Sequence, residues 1–425
     1  MQVYLHDEGA RGTAAMVSLG GTAEPSIISK LFSRTVEKVN SLRGVTPKIT
    51  RRNSRHSESA PAPSAAVSSE PASPYGRPNT RCTMFSALDT NLELAGQLGR
   101  GTFASVYASE YNGMPVAVKR IKIDPNYVTR EIPILEMLRD TPCASVVGYH
   151  GHCDTVEGEA TIVHLIMEKL PMNLREYAGM PSNQGGRLRM DVAILCLREI
   201  LVGLAHLHAM RVCHRDLKPD NILVDPATNA VKICDFGSAK ILQGPVAGIT
   251  YICSRTYRAP ELILENSSYS FSVDVWSLGC ILAELLSGAP PFASKNNAGQ
   301  LALMIKVLGS PSPDELRSLN PEEPPSSDEL PLADCSKAAW TDTLKRPMSA
   351  ERWPASLGAH MWAMLDGLLA WSPEARLAAK DAIRSELFAV AGLDLKTSLS
   401  RSLRSLSFAT RYGIGSTADY YQYAQ

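Results

Sequence analysis

A chain of 425 residues is too long for one small core and suits two lobes or domains with tails. Its 43 basic and 43 acidic residues balance, which argues against a general affinity for nucleic acid or an anionic membrane surface. Nine scattered cysteines without a C-x-x-C pair argue against a disulfide scaffold or zinc module, and favour a reducing, cytoplasmic or nuclear compartment.

Residues 51–80 hold seven Ser, five Pro and five Ala, with Tyr75 the lone aromatic, and cannot bury enough apolar surface to offset ordering. Residues 1–91 are therefore read as a disordered Ser/Pro/Ala-rich segment. Within it Ile27, Ile28, Leu31, Phe32, Val36 and Val39 fall at helical spacing, either a transient turn or a docking helix. No secretory signal opens the chain, and no run of about 18 uncharged apolar residues suggests a span. Order is expected from Leu92. Val116-Ala-Val-Lys-Arg-Ile121 reads as a strand entered through the hairpin turn Asn112-Gly113, and Ile162–Met167 as another. Val192–Met210 reads as a helix with Leu195, Leu197, Leu201, Leu204 and Leu207 mostly on one face. Ser272–Leu286 reads as an apolar helix stopped by Gly288 and Pro290. A small strand-rich half thus precedes a larger helical half. Residues 321–350 form a Pro- and acid-rich insert, and a Ser/Arg-rich tail with Tyr420, Tyr421 and Tyr423 occupies 391–425.

The chemistry-bearing motifs fall in that order. Gly99-Arg100-Gly101-Thr102-Phe103-Ala104-Ser105-Val106 lies between two strand patterns, where glycines let backbone N–H groups approach phosphate oxygens. A strand follows, which excludes a Rossmann reading. Lys119 on the third strand can neutralise α- and β-phosphates, and Glu131 on a following helix can hold its ammonium. Pro133 fits that helix only in its first turn, so a short helix starting near Thr129 is expected. His214-Arg215-Asp216-Leu217-Lys218-Pro219-Asp220-Asn221 places Asp216 to accept a hydroxyl proton, Lys218 to steady a γ-phosphoryl group and Asn221 to hold Mg²⁺. Asp235-Phe236-Gly237 supplies a second metal ligand, and Ala259-Pro260-Glu261 closes an activation segment.

From 92 to 390 the chain resembles a eukaryotic protein kinase domain. Cys234–Lys240, Tyr251–Leu262 and Ile305-Lys-Val-Leu-Gly-Ser-Pro311 resemble the glycogen synthase kinase-3 family in particular. The resemblance implies an α+β, bilobal kinase fold: a β-rich lobe over 92–168 and a helical lobe over 169–390, with ATP and Mg²⁺ in the cleft. It implies ATP contacts from Leu98 through Val106, from Ala117, Lys119 and Glu131, and from the hinge at Glu168 and Leu170, with Met167 as gatekeeper. Asp274 would support the catalytic loop and Arg376 would pair with Glu261. Arg130, Arg215 and Lys240 would converge on a priming phosphate, so substrates would be proteins phosphorylated four residues after the target. A monomer that meets scaffold or regulatory proteins, but neither nucleic acid nor membrane, is the implied state. Tyr251 is an expected autophosphorylation site, its phosphate meeting Arg255 and Arg258. Ser54, in Arg51-Arg52-Asn53-Ser54, is an expected self-inhibitory site that would bring Thr50 near Asp216.

Three departures from the family pattern, Ala104, Pro133 and Thr256, bear on substrate fine-tuning more than on catalysis. A pseudokinase scaffold would lack one of Lys119, Asp216, Asn221 or Asp235, and all four are present. A cyclin-dependent kinase would carry a cyclin-docking sequence in the helix of Glu131, which Val128-Thr-Arg-Glu-Ile-Pro133 matches poorly. A mitogen-activated kinase would show Thr-x-Tyr, a spacing Ile249-Thr250-Tyr251 lacks.

Overall fold

The computed structural model describes residues 92–101, 104–123, 130–158, 160–183, 186–243, 250, 252–322 and 355–392. All lie within one compact unit, Ala66–Gln425. The segment 1–91 with Thr50 and Ser54, Thr102, Phe103, Tyr251, most of the 321–350 insert and nearly all of the tail lie outside the described residues.

Five antiparallel strands build the N-terminal lobe: β1 (Gln97–Arg100), β2 (Ala104–Tyr111), β3 (Met114–Lys122), β4 (Tyr149–Glu157) and β5 (Ala160–Glu168), in the order β1-β2-β3-β5-β4. Asn112 (φ 51°) and Gly113 (φ 74°) join β2 to β3. A two-residue loop with both φ positive matches the twist of its strands, and Asn-Gly is the pair that adopts it at least cost. Alternation then sorts the side chains. Val116 and Val118, both 0% exposed, pack with Ile166 on the outer face. Ala117, Lys119 and Ile121 point to the other face, where Val163, Leu165 and Met167 meet Ile134, Leu135 and Leu138 of α1 (Glu131–Asp140).

The helix α1 starts at Glu131 rather than near Thr129. Arg130 stands at its N-cap in a helical conformation and makes no side-chain cap. Pro133 falls in the first turn, where no intrahelical acceptor waits for its missing N–H.

The C-terminal lobe begins with β6 (Met172–Asn173) and α2 (Leu174–Ala178), the latter opened by a reciprocal capping box between Asn173 and Glu176. The core helix α3 (Met190–Ala209) buries Ile194, Leu197, Leu201, Leu204 and Leu207. Leu195, expected on that face, is only half-buried, and Ile194 takes its place. Among the described residues α3 is the one helix long and apolar enough to cross a membrane. It carries Arg198 and Glu199 near its middle and packs as a core helix. Short strands follow: β7 (Val212–Cys213), β8 (Ile222–Asp225), β9 (Ala230–Ile233) and β10 (Lys240–Ile241), paired as β6-β8-β9 and β10-β7. After α4 (Pro260–Ile263), helix α5 (Ser272–Ser287) is buried from Val273 through Leu286 and ends at Gly288. Helices α6 (Asn297–Leu308), α7 (Pro313–Leu319), α8 (Ala355–Leu368), α9 (Ala379–Ala382) and α10 (Glu386–Val390) complete the lobe. Seven of the cysteines are described, and none of the seven is joined in a disulfide.

The expected Arg376–Glu261 pair forms the polar centre of this lobe. Nη1 and Nη2 of Arg376 reach the two carboxylate oxygens at 2.6 and 2.8 Å. The remaining donors go to the carbonyls of Ala370, Trp371 and Ser272. Both side chains are essentially inaccessible, 0% and 1% exposed. The guanidinium also lies 5.0 Å from the ring centroid of Trp276. A buried pair of this kind adds little over apolar packing, yet removing one partner strands the other charge. Arg376→Met is expected to lower the unfolding free energy by about 3–5 kcal/mol in denaturant titrations. The double variant Arg376→Met, Glu261→Leu should recover much of that loss. A single variant as stable as the native protein would contradict this account.

Candidate active site

Between the lobes, Lys119 Nζ lies 2.7 and 2.8 Å from the two oxygens of Glu131 and 2.7 Å from Asp235 Oδ1. Lys119 is 11% exposed and Glu131 3%, whereas Asp235 is 44% exposed and faces the cleft. Burial would lower the ammonium's pKa, but the charges of Glu131 and Asp235 outweigh it and raise it. Burial raises the Glu131 carboxyl against the pull of Lys119. For Asp235 burial works upward too, and there the Lys119 charge prevails and holds the carboxyl below its ordinary range. A Cβ on Gly237 would sit 3.3 Å from Asp235 Oδ1, 3.4 Å from Lys119 Nζ and 3.5 Å from Glu131 Oε2. A side chain at 237 would press on Asp235 Oδ1 and touch Lys119 and Glu131. Phe236, 0% exposed, packs edge-on to His214 at 5.4 Å.

The catalytic-loop segment hangs from α5. Asp274 Oδ2 accepts from the backbone N–H of His214 and Oδ1 from that of Arg215, both at 2.8 Å. His208 Nε2 lies 3.1 Å from Asp274 Oδ2. Burial raises the Asp274 carboxyl, but these donors, His208 first, hold it below its ordinary range. His214 Nε2 donates to the carbonyl of Cys234, the residue before Asp235, at 2.9 Å. Arg215 and Asp235 both adopt left-handed φ, 65° and 63°, a conformation non-glycine residues hold only where the surroundings fix it.

Asp216 stands at the centre of the next layer. Its Oδ1 accepts from both the N–H and the hydroxyl of Ser254, each at 2.8 Å. Its Oδ2 accepts from Lys218 Nζ at 2.7 Å and, more weakly, from Asn221 Nδ2 at 3.3 Å. Asn221 Nδ2 also donates to the Asp216 carbonyl at 2.8 Å. With its Nδ2 so committed, Asn221 keeps Oδ1 as a hard oxygen ligand, as Asp235 keeps Oδ2. No cluster of three His, Cys, Asp or Glu suited to a metal occurs among the described residues. Two protein oxygens completed by phosphate and water are the donor set Mg²⁺ takes, so these residues fit that ion.

Along the cleft, Gly101 N–H donates to the carbonyl of Ala104 at 2.8 Å, which closes the glycine loop. Leu98 is 48% exposed, and Gly99, Arg100 and Gly101 are exposed with it. Cross-strand register sets Val106 opposite Lys119 and Ala117 opposite Met167. Glu168 anchors the hinge, its carboxylate accepting from Gly148 N–H and from Lys232 Nζ, both at 3.0 Å. Leu170 is half-buried beside it.

Two of the three expected phosphate-pocket cations lie on adjoining backbone segments. Lys240 pairs across β10-β7 with Cys213, and Arg215 Nε donates to the carbonyl of Ser238. Arg215 Nη1 also donates to Tyr269 Oη. Arg130 is exposed at the start of α1, and no described contact joins it to the other two. Arg258, expected to await a phosphate at Tyr251, is turned inward. The chain bends at Cys253 (φ 62°), and the carbonyls of Ile252 and Cys253 accept from its guanidinium, as does Asn297. Arg255 Nη1 donates to the carbonyl of Lys295.

Two groups at the site escape sequence reasoning. Ser254 lies 38 residues from Asp216, and although it sits in the Tyr251–Leu262 stretch no role is read for it there. Arg175 bridges Asp220 (3.0 Å), Glu284 (3.0 Å) and the hydroxyl of Tyr257 (2.7 Å), and Tyr257 donates to Glu284 at 2.7 Å. This ties the end of the activation segment to the catalytic loop. Burial, reinforced by Glu284, pushes the Tyr257 phenol well above its ordinary pKa.

Comparison with known proteins agrees with this geometry. The family model described as protein kinase domain matches residues 92–388. Glycogen synthase kinase 3 of Trypanosoma brucei brucei is 38% identical over 263 residues, covering 60% of this chain and 73% of that protein. Protein kinase gsk3 of Schizosaccharomyces pombe is 34% identical over 232 residues, covering 55% of this chain and 59% of the yeast protein.

The depressed pKa of Asp274 has a definite sign. A carboxyl whose folded pKa lies below its unfolded value of about 3.9 adds stability that is complete above that value and is lost as pH falls through the folded pKa. The stability gap between the native protein and Asp274→Asn, read from denaturant unfolding, should therefore narrow as pH drops below about 4. A gap constant down to the acid transition would show that Asp274 is not held ionised by the fold.

Proposed function

We propose, from the premise that this chain belongs to the glycogen synthase kinase-3 family of eukaryotic Ser/Thr protein kinases, how its residues divide the work and which substrates it prefers. The observation that carries the assignment of roles is the joined cluster of Lys119, Glu131 and Asp235 beside an Asp216 carboxylate already held by Ser254 and Lys218. The nucleotide is ATP. Lys119, its charge fixed by Glu131, neutralises α- and β-phosphate oxygens. Asp235 and Asn221 would hold Mg²⁺, which when bound would offset phosphate charge. Ser254 fixes one oxygen of Asp216 and so aims the other, Oδ2, at the incoming hydroxyl, whose proton it accepts. Lys218 moves from Asp216 to the transferring phosphoryl group, where it offsets developing negative charge.

Substrates carrying a phosphate four residues after the target are the preferred class. Arg215 and Lys240 support this reading by lying on adjoining backbone segments, and Arg130 would complete the set from the exposed start of α1. A phosphate with nearly two negative charges matches such a group of cations, and arginine forks bind it bidentately.

The test is phosphorylation of a primed and an unprimed peptide by the full chain with ATP and Mg²⁺. Asp216→Asn should lose at least about two orders of magnitude in kcat with its unfolding transition unchanged. Native turnover in that variant would refute the assignment. Arg130→Ala should raise KM for the primed peptide alone, and equal losses on both peptides would refute the phosphate pocket.

A further inference from the structure

The face of the N-terminal sheet turned away from the cleft carries an open, shallow cavity of about 290 Å³. Period-two alternation puts Arg120 and Lys122 of β3 on that face, back to back with Lys119. Ser105 and Tyr107 of β2, Glu157 of β4 and Ile162 of β5 join them, and Arg100, Gly101 and Ala104 of the glycine loop close one side. The lining residues carry three cations and one carboxylate, a surplus of two positive charges.

These charges are not matched evenly. Glu157 pairs with Arg120, whose guanidinium lies 5.9 Å from the ring centroid of Tyr107. The Arg120 side chain is 23% exposed, so its outer guanidinium nitrogens face the depression while Nε is buried behind them. Among the described residues no carboxylate pairs with Arg100 or Lys122. Behind them His164, the cross-strand neighbour of Arg120, is bonded through Nε2 to the Thr155 hydroxyl at 2.8 Å. Burial, aided by the Arg120 charge, holds its imidazole below the ordinary pKa, so His164 adds no charge of its own near neutral pH. The floor is apolar in part, from Tyr107 and Ile162.

We infer that this cavity binds a phosphate monoester of side-chain size, its phosphate meeting Arg100, Arg120 and Lys122 and its organic part resting on Tyr107 and Ile162. The dianion matches the surplus charge of Arg100, Arg120 and Lys122, and can take the Ser105 hydroxyl as a further donor. The volume admits one phosphorylated side chain or a small organic phosphate, near the lower end of ligand-pocket sizes. Because Arg100 and Gly101 belong to both the cavity and the glycine loop, the occupant is coupled to the nucleotide on the other face, and the coupling is reciprocal. That coupling rests on the kinase reading; the site itself rests on the geometry alone.

Isothermal titration of the full chain with phenyl phosphate, with ADP and Mg²⁺ in excess, tests the site. A saturable site that persists in the Arg130→Ala background, where the proposed priming pocket is disabled, is expected. Lys122→Gln should weaken it about tenfold, the scale of one charge-assisted hydrogen bond. Lys122→Arg should restore it, and Arg130→Ala should leave it unchanged. A phosphotyrosine peptide binding much tighter than phenyl phosphate would assign the site to a protein partner, and equal affinities to a small metabolite. No saturable binding, native affinity in Lys122→Gln, or loss in Arg130→Ala would overturn the inference. Lys122→Gln should still phosphorylate peptide at the native rate. Failed phosphate binding alongside native activity would therefore discard this site and leave the kinase reading standing.

Discussion

The structure depends on one buried cation. Lys119 lies out of bulk water on the inner face of β3, and a charge so placed is tolerated only when it is paired and hydrogen-bonded. Its partners come from distant parts of the chain, Glu131 twelve residues on and Asp235 a further 104 beyond that. Each contact therefore joins a different element: the sheet, the first turn of α1 and the Asp-Phe-Gly turn. Withdrawal of either carboxylate leaves the ammonium under-compensated, so the three elements hold their places together. Gly237 belongs to the same constraint, because its bare Cα lets the turn approach the ion cluster. Asp235 accepts a left-handed φ and, in exchange, faces the cleft with one oxygen still available.

What the cluster assembles from above, α5 holds from below. This helix is buried nearly end to end, and its Asp274 grips two successive backbone N–H groups of the catalytic loop. The loop is thus aimed by a rigid element rather than by its own flexible side chains. The activation segment is attached at two more points. Ser254 holds Asp216 directly, and Tyr257 joins Arg175 and Glu284. Arg258 draws in the carbonyls of Ile252 and Cys253, just before Ser254. The position of Ser254 and the orientation of the Asp216 carboxylate are consequently coupled.

Much of this was legible in the residues. Lys119, Glu131, Asp216, Asn221 and Asp235 were readable because each sits in a short motif whose residue types answer one chemical need. Asn112-Gly113 and the apolar run ending at Gly288 were readable because turn and helix-stop chemistry is local. What escaped was what depends on contacts distant in sequence. Ser254 matters only because the fold returns it to Asp216. The start of α1 was misplaced by two residues because Arg130 offers no capping side chain to mark it. Leu195 and Ile194 exchanged places because neighbouring apolar residues on a nearly all-apolar helix leave the buried face ambiguous. The inward turn of Arg258 could not be anticipated, since it follows from the left-handed bend at Cys253.

The central claim is that the Lys119–Glu131 pair organises the site for transfer rather than merely stabilising the fold. Peptide phosphorylation by Glu131→Gln, a change that keeps shape and removes charge, tests it most directly. At saturating ATP and peptide, kcat should fall by about a hundredfold or more, the scale of losing a preorganised charge, while the domain remains folded by circular dichroism. A folded Glu131→Gln enzyme with native kcat would contradict the account.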